Sequence, residues 1–226
     1  MATRPVFLPV ATRFSPTREV PVDFVWHAGL AVSQKQKSIA SLHQAARKQL
    51  NLQRILEIST RSEVELGRRL SAFNLRVVLK GGAITSVESA YQSSKVFSDG
   101  GPYLDLLSTD SRTAKTDKRL TSSGLLIRFR FEDVEWTLEP PTAFYDWLYI
   151  CALVAEPTLA RQIKTFEAFT DIEFNPQKSL NCQARSVALF CNLTNTGQLE
   201  QSLSSPKAFT EALRQTPPGT HQARLF

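Results

Sequence analysis

The stretch Phe144-Tyr145-Asp146-Trp147-Leu148-Tyr149-Ile150-Cys151-Ala152-Leu153-Val154 constrains the fold more than any other part of the chain. It is apolar apart from Asp146, and well short of the ~20 residues needed to span a bilayer. Pro140-Pro141 precedes it and suits a helix start, so the stretch reads as a helix packed inside a core. Other segments carry the periodicity of its neighbours. Gln34 to Leu50 places Ile39, Leu42, Ala46 and Leu50 on one helical stripe, Pro157 opens a helix to about Phe166, and Ser179 is placed to cap another to about Leu193. Short strands are expected at Arg54–Ser59 and Leu125–Phe131, the second with its arginines opposite Ile127, Phe129 and Phe131. Arg76 to Ser86 reads as a hairpin turning at Gly81-Gly82. Thr85 or Ser86 then caps a helix, and Gly100-Gly101-Pro102 closes that region and opens a short helical turn. The expected class is α+β, predominantly helical with a few short strands. Three segments are expected: 1–51, a basic and proline-rich N-terminal arm followed by a helix; 52–200, the main domain; and 201–226, a C-terminal extension whose last dozen residues read as a tail.

Charge is unevenly spread. The 226 residues hold 27 basic and 21 acidic side chains, a net of +6, yet residues 1–80 hold 13 Lys/Arg against 5 Asp/Glu, a balance of +8. Such an excess attracts phosphate polymers in a salt-sensitive way; a merely basic soluble surface gives the same count. The N-terminal residues lack a secretory pattern, and no apolar run suits a membrane. Three widely spaced cysteines, Cys151, Cys182 and Cys191, fit a reducing cytoplasm better than a disulfide framework. No Walker loop, GxGxxG fingerprint or GxSxG elbow is present, so no cofactor is expected. His27, His43 and His221 are scattered and no cysteine pair has zinc spacing, so no metal is expected either. Chemistry must come from carboxylates, lysines and amides.

Val87-Glu88-Ser89-Ala90-Tyr91-Gln92-Ser93-Ser94-Lys95 offers such a set. If helical throughout, it places Glu88 and Lys95 two turns apart on one face, with Tyr91 and Gln92 between them. The residues alone equally fit a solvated polar face, or a capping box between Thr85 and Glu88.

This stretch resembles the signature of the NADAR (YbiA-like) N-glycosidase family, roughly Glu-His-aromatic-Phe-Gln-Ala-x-Lys. Glu88, Tyr91, Gln92 and Lys95 stand in register, with Ser89 in place of the histidine. Upstream, Leu70-Ser71-Ala72-Phe73-Asn74 is similar to the family's Leu-Ser-Asn-Phe. Downstream, Asp171-Ile172-Glu173-Phe174-Asn175 is similar to Asp-x-x-Trp-Gly, and Asn181 follows Ser179 where Gly-x-Asn is usual. The resemblance covers roughly residues 52–195. Gly100–Leu106, Thr142–Tyr149 and Phe174–Arg185 resemble the NADAR antitoxins paired with DarT-type toxins, which attach ADP-ribose to guanine in DNA. The resemblance implies a NADAR-like catalytic domain over 52–200. It also implies a glycohydrolase that strips ADP-ribose from guanine bases of DNA, with ADP-ribosylated DNA, the product ADP-ribose and a cognate DarT-type toxin as partners, and no membrane.

On that basis Glu88 is expected as the leading general acid/base and Asp171 as the second carboxylate, orienting water or stabilising the charged sugar. Lys95 could protonate the base, contact phosphate or attack the opened ribose. Ser71, Asn74 and Gln92 are expected on the ribose, and Asn181 and Arg185 on the diphosphate or ribose. Phe73, Tyr91 and Trp147 are candidate stacking surfaces, although Trp147 also shares a helical core spacing with Phe144, Leu148 and Cys151. Two other functions fit the chain: a non-catalytic module binding ADP-ribose or DNA, and a small-molecule N-glycosidase that would have no need of the +8 segment.

Overall fold

The computed structural model describes residues 1–10 and 17–214. The expected tail, with Pro217-Pro218-Gly219 and His221, lies outside the described residues, as does Pro16 of the proline-rich lead-in.

In chain order, β1 (Ala2–Leu8) and β2 (Arg18–Phe24) pair antiparallel, α1 (Val32–Leu50) leads to β3 (Ile55–Glu57), and α2 (Glu65–Arg69) precedes the hairpin of β4 (Arg76–Val78) and β5 (Ile84–Ser86). Helix α3 (Val87–Ser93) runs into β6 (Lys95–Phe97). A 3-10 turn (Leu104–Ser108), α4 (Ser111–Lys115) and α5 (Arg119–Ser122) lead to the hairpin of β7 (Leu126–Phe131) and β8 (Val134–Trp136). Then come α6 (Ala143–Val154), α7 (Pro157–Ile163), β9 (Ala168–Thr170), α8 (Gln183–Asn195), α9 (Leu199–Leu203) and α10 (Pro206–Arg214). The fold is α+β. Among the described residues the strands make three small sheets, ordered β2-β1-β9-β3, β4-β5 and β6-β7-β8.

Helix α6 is buried as its composition requires. Phe144, Leu148, Tyr149, Ile150 and Leu153 are almost completely enclosed, and fully burying one such side chain is worth about 1.5–3 kcal/mol. The helix packs chiefly on α8, whose Ala184, Val187 and Ala188 allow close approach. A second core fills the space between α1 and the N-terminal hairpin, with Val6, Val22, Phe24, Ile39, Leu42 and Ala46 at its centre.

That second core changes the reading of the N-terminal segment. Residues 2–8 and 18–24 are not an irregular lead-in: β1 and β2 pair along their full length, and Phe7 of β1 pairs with Phe169 of β9. Prolines 5 and 21 face each other across this hairpin, and β2, which holds Pro21, is an edge strand. Three local expectations shift as well. Phe129 and Phe131 are buried, but Ile127 is 45% exposed, because the β6–β7 pairing shifts register there: Val96 pairs with Arg128 and Phe97 with Leu126, leaving Ile127 in a bulge. Cys182, not Ser179, is the N-cap of α8, since Ser179 closes a turn onto Asn175. The 3-10 turn starts at Leu104, beyond Pro102.

Candidate functional site

A cavity of about 830 Å³ opens between α3, α4 and the loop after β9. Helix α3 forms its floor. Ser86 caps the helix by accepting from the Ser89 N–H at 2.9 Å, and Ser89, in place of the motif's histidine, is fully buried. The helix stops at Ser93. The hydroxyls of Ser93 and Ser94 both donate back to the Ala90 carbonyl, and Lys95 then enters β6 opposite Phe129. Glu88 and Lys95 are therefore not two turns apart on one helix. They share the cavity because the chain turns there. Gly101, at φ +81°, packs its backbone against the Lys95 carbonyl, and a Cβ at that position would collide with it.

The Glu88 side chain accepts from Gln92 Nε2 at 2.8 Å and lies 3.7 Å from Lys115 Nζ. With Nε2 so engaged, Gln92 Oε1 is left buried without a partner, an acceptor ready for a ligand donor. Lys95 Nζ sits 4.9 Å from the centroid of the Tyr91 ring. Burial brings its ammonium down to about 8, opposed by Glu88 and assisted by Lys115. The Tyr91 hydroxyl accepts from Asn181 Nδ2 at 2.7 Å, and its ring meets Tyr145 edge-on at 5.2 Å. Burial raises the Tyr91 phenol, so it stays protonated.

Asp171 approaches from the opposite wall, one residue past β9. The parallel pairing of β3 with β9 sets Glu57 against Thr170. Glu57 accepts from Thr170 Oγ1 at 2.6 Å and from the Ile172 N–H at 2.8 Å, bracketing Asp171 on both sides. His43 Nε2 lies 2.8 Å from the same Thr170 oxygen. Because that hydroxyl donates to Glu57, the imidazole must carry its proton on Nε2. Burial, with help from Arg47, lowers His43 to about 4, so the ring is neutral. Asp171 accepts from the Glu173 N–H at 3.0 Å. Burial pushes its carboxyl up to about 8, and the charge of Glu57 pushes the same way.

Of the residues singled out in the sequence, Ser71, Phe73, Glu88, Tyr91, Gln92, Lys95, Asp171 and Asn181 all line this cavity. Three expected ligand contacts do not. Asn74 turns its amide to the Arg68 carbonyl at 2.8 Å and faces a neighbouring groove. Trp147 packs on Trp136 at 5.0 Å and on Phe131 at 6.4 Å, as its core spacing allowed. Arg185 Nη1 pairs with the wholly buried Asp146 at 2.7 Å and donates to Thr142, which ties the side chain to α6 and away from the cavity lining.

Sequence reasoning missed Arg112 and Lys115 on α4, Arg61 after β3, and Glu57 itself. Lys115 Nζ lies 5.1 Å from the Phe73 ring centroid, and Arg112 lines the cavity beside it. Only Glu57 left a local signal, as an acid inside the apolar run Ile55-Leu56-Glu57-Ile58. No group of three or more His, Cys, Asp or Glu side chains among the described residues is arranged to hold a metal ion. No helix among them is long and apolar enough to cross a membrane.

No curated protein matches the chain. A family described as the DarT1-associated NADAR antitoxin does, over residues 2–223, a span that takes in the N-terminal hairpin as well as the cavity. The motif residues that resembled a NADAR signature converge on one pocket, the match runs nearly end to end, and the chain belongs to the DarT1-associated NADAR antitoxin family.

Proposed function

We propose that this antitoxin is an ADP-ribosyl glycohydrolase that removes ADP-ribose from guanine in DNA, reversing the modification made by a DarT-type toxin. One observation carries the reading: a buried carboxyl poised to hold a proton, Asp171, shares a cavity with a second carboxyl, Glu88, and an amine, Lys95.

The bond to break joins the anomeric carbon of ribose to a guanine nitrogen. As it breaks, the electron pair leaves with the base, which needs a proton, while positive charge builds on the sugar. Asp171 keeps its proton up to about pH 8 and supplies it to the departing base. Glu88, oriented by Gln92, faces the charged sugar and takes a proton from the attacking water; ADP-ribose and unmodified guanine result. This division gives Asp171 the acid role first assigned to Glu88. Gln92 Oε1 accepts from a ribose hydroxyl. Arg112 and Lys115 serve the diphosphate in place of Arg185. Tyr91 and Phe73 present ring surfaces to base or adenine. The target guanine enters unstacked, from single-stranded or locally opened DNA.

Incubation with a guanine-ADP-ribosylated oligonucleotide, followed by mass analysis, should show free ADP-ribose. Glu88→Gln should abolish release while keeping most of the binding. Binding without release by the wild-type protein would overturn the reading in favour of a silent binding module. Borohydride in the same assay tests covalent attack by Lys95: no adduct at that residue rejects it.

A further inference from the structure

A second concavity, of about 360 Å³, adjoins the reactive cavity, and Phe73 lines both. Its walls come from β5, the 3-10 turn and the start of α4. Asn74, which the reactive cavity leaves unused, faces it. So does Thr85, only 8% exposed, whose hydroxyl has no hydrogen-bond partner. Ile84 is 56% exposed along the same edge, an apolar ledge that joins Phe73 and Leu107 in lining the groove. Arg76, paired with Ser86 across the β4–β5 hairpin, is exposed and makes no ion pair among the described residues.

The partition between the two spaces is well held. Ser111 Oγ lies 2.9 Å from the Phe73 carbonyl and 2.7 Å from Ser86 Oγ, and Ser86 Oγ reaches Ser89 Oγ at 2.9 Å. The acid lining the groove, Asp110, is committed to α4: Oδ1 accepts from the N–H groups of Arg112 and Thr113 at 3.0 and 3.1 Å, and Oδ2 from Thr113 Oγ1 at 2.5 Å. The opposite rim of the reactive cavity offers less to a polyanion, because Lys35 and Arg61 both lie against Glu173, at 3.5 and 3.8 Å.

We infer that this groove holds the nucleotide next to the modified guanine in a single-stranded polynucleotide. Phe73 separates it from the reacting base, Ile84 meets a base or sugar face, and Arg76 meets the linking phosphate. A strand held there continues past a cavity sized for the ADP-ribosylated base alone. The inference rests on the proposed function in taking ADP-ribosylated DNA as the substrate.

The test compares two substrates, ADP-ribosylated guanosine and the same nucleoside within a short single-stranded oligonucleotide. Arg76→Glu and Ile84→Asp should each raise KM for the oligonucleotide about tenfold at unchanged kcat, and leave the nucleoside kinetics as they were. Arg76→Gln, a gentler change on an exposed strand, should give a smaller rise in the same direction. Unchanged oligonucleotide KM in all three variants overturns the groove, and so does an equal loss on both substrates. If the wild-type protein cleaves neither substrate, the proposed function fails and the groove is judged by binding alone. Fluorescence anisotropy with an unmodified oligonucleotide should then show about tenfold weaker binding and a shallower salt dependence for Arg76→Glu, and equal binding overturns the inference.

Discussion

Asp146 and Asp171 are both buried aspartates in one small protein, and they have opposite surroundings. Asp146, on α6, accepts from Arg185 and Thr142 at 2.7 Å and from Ser186 at 2.6 Å, so one cation and two hydroxyls meet its charge. Asp171 has two backbone N–H groups and the Gln183 side chain as hydrogen-bond partners, and a second buried carboxyl, Glu57, as a charged neighbour. The first arrangement ties α6 to α8. The second disfavours ionisation and holds a proton beside a cavity. Burial is common to both, and the identity of the neighbours separates an acid tied into an ion pair from one set beside a cavity.

The largest test of that contrast is Asp171→Asn. Loss of a general acid should lower ADP-ribose release by about 10²–10⁴-fold. The same change should raise stability at neutral pH. The Asp171 carboxyl titrates at about 8 in the folded protein against a reference of 3.8, so across that window the unfolded chain has released a proton that the native state still holds. Stability therefore falls as pH rises from 3.8 to 8, and asparagine removes the fall. Melting curves across that range check the sign; a variant destabilised at pH 7 would break the comparison.

Asp146→Ala should do the reverse. It strands the Arg185 guanidinium, which keeps some solvent contact, and should cost about 3 kcal/mol in denaturant unfolding, with turnover at low temperature largely kept. Next in size is the alkaline limb of the pH–rate profile, expected near pH 8. Glu57→Gln removes a negative neighbour and should move that limb to lower pH; a limb that stays in place would dissociate Glu57 from Asp171. The smallest effect is Trp147→Phe, expected to cost about 1–2 kcal/mol of stability through lost packing on Trp136, with no change in KM.

Much of the α3 region was legible because its information is local. Capping by Ser86, the Gly81-Gly82 turn and the set Glu88, Tyr91, Gln92 and Lys95 all depend on residues within a dozen positions. Even so, the helix ended two residues before Lys95, since the hydroxyls of Ser93 and Ser94 turn back onto the helix at a point that periodicity does not mark. Arg185 and Trp147 misled for another reason. Each residue type suits ligand binding, but each found a partner in the core, Asp146 for one and Trp136 for the other, and no spacing rule predicts that choice. The N-terminal hairpin was read as a lead-in because its prolines argue against a central strand, and they stand instead near a sheet edge.

By itself the amino-acid sequence determined the buried helix α6, the β4–β5 hairpin, and the acid, phenol, amide and amine that line the cavity. Local periodicity and turn chemistry act over a few residues and survive whatever the rest of the chain does. Only the tertiary structure decided which buried acid lies beside a cavity and a second buried carboxyl. Glu57 and Ile172 are 115 residues apart in the chain, and their hydrogen bond exists because β3 and β9 pair. Lys115 reaches Glu88 because α4 packs on α3. Electrostatic character depends on separations of a few ångströms across the folded molecule, and those distances come into being when the chain closes on itself.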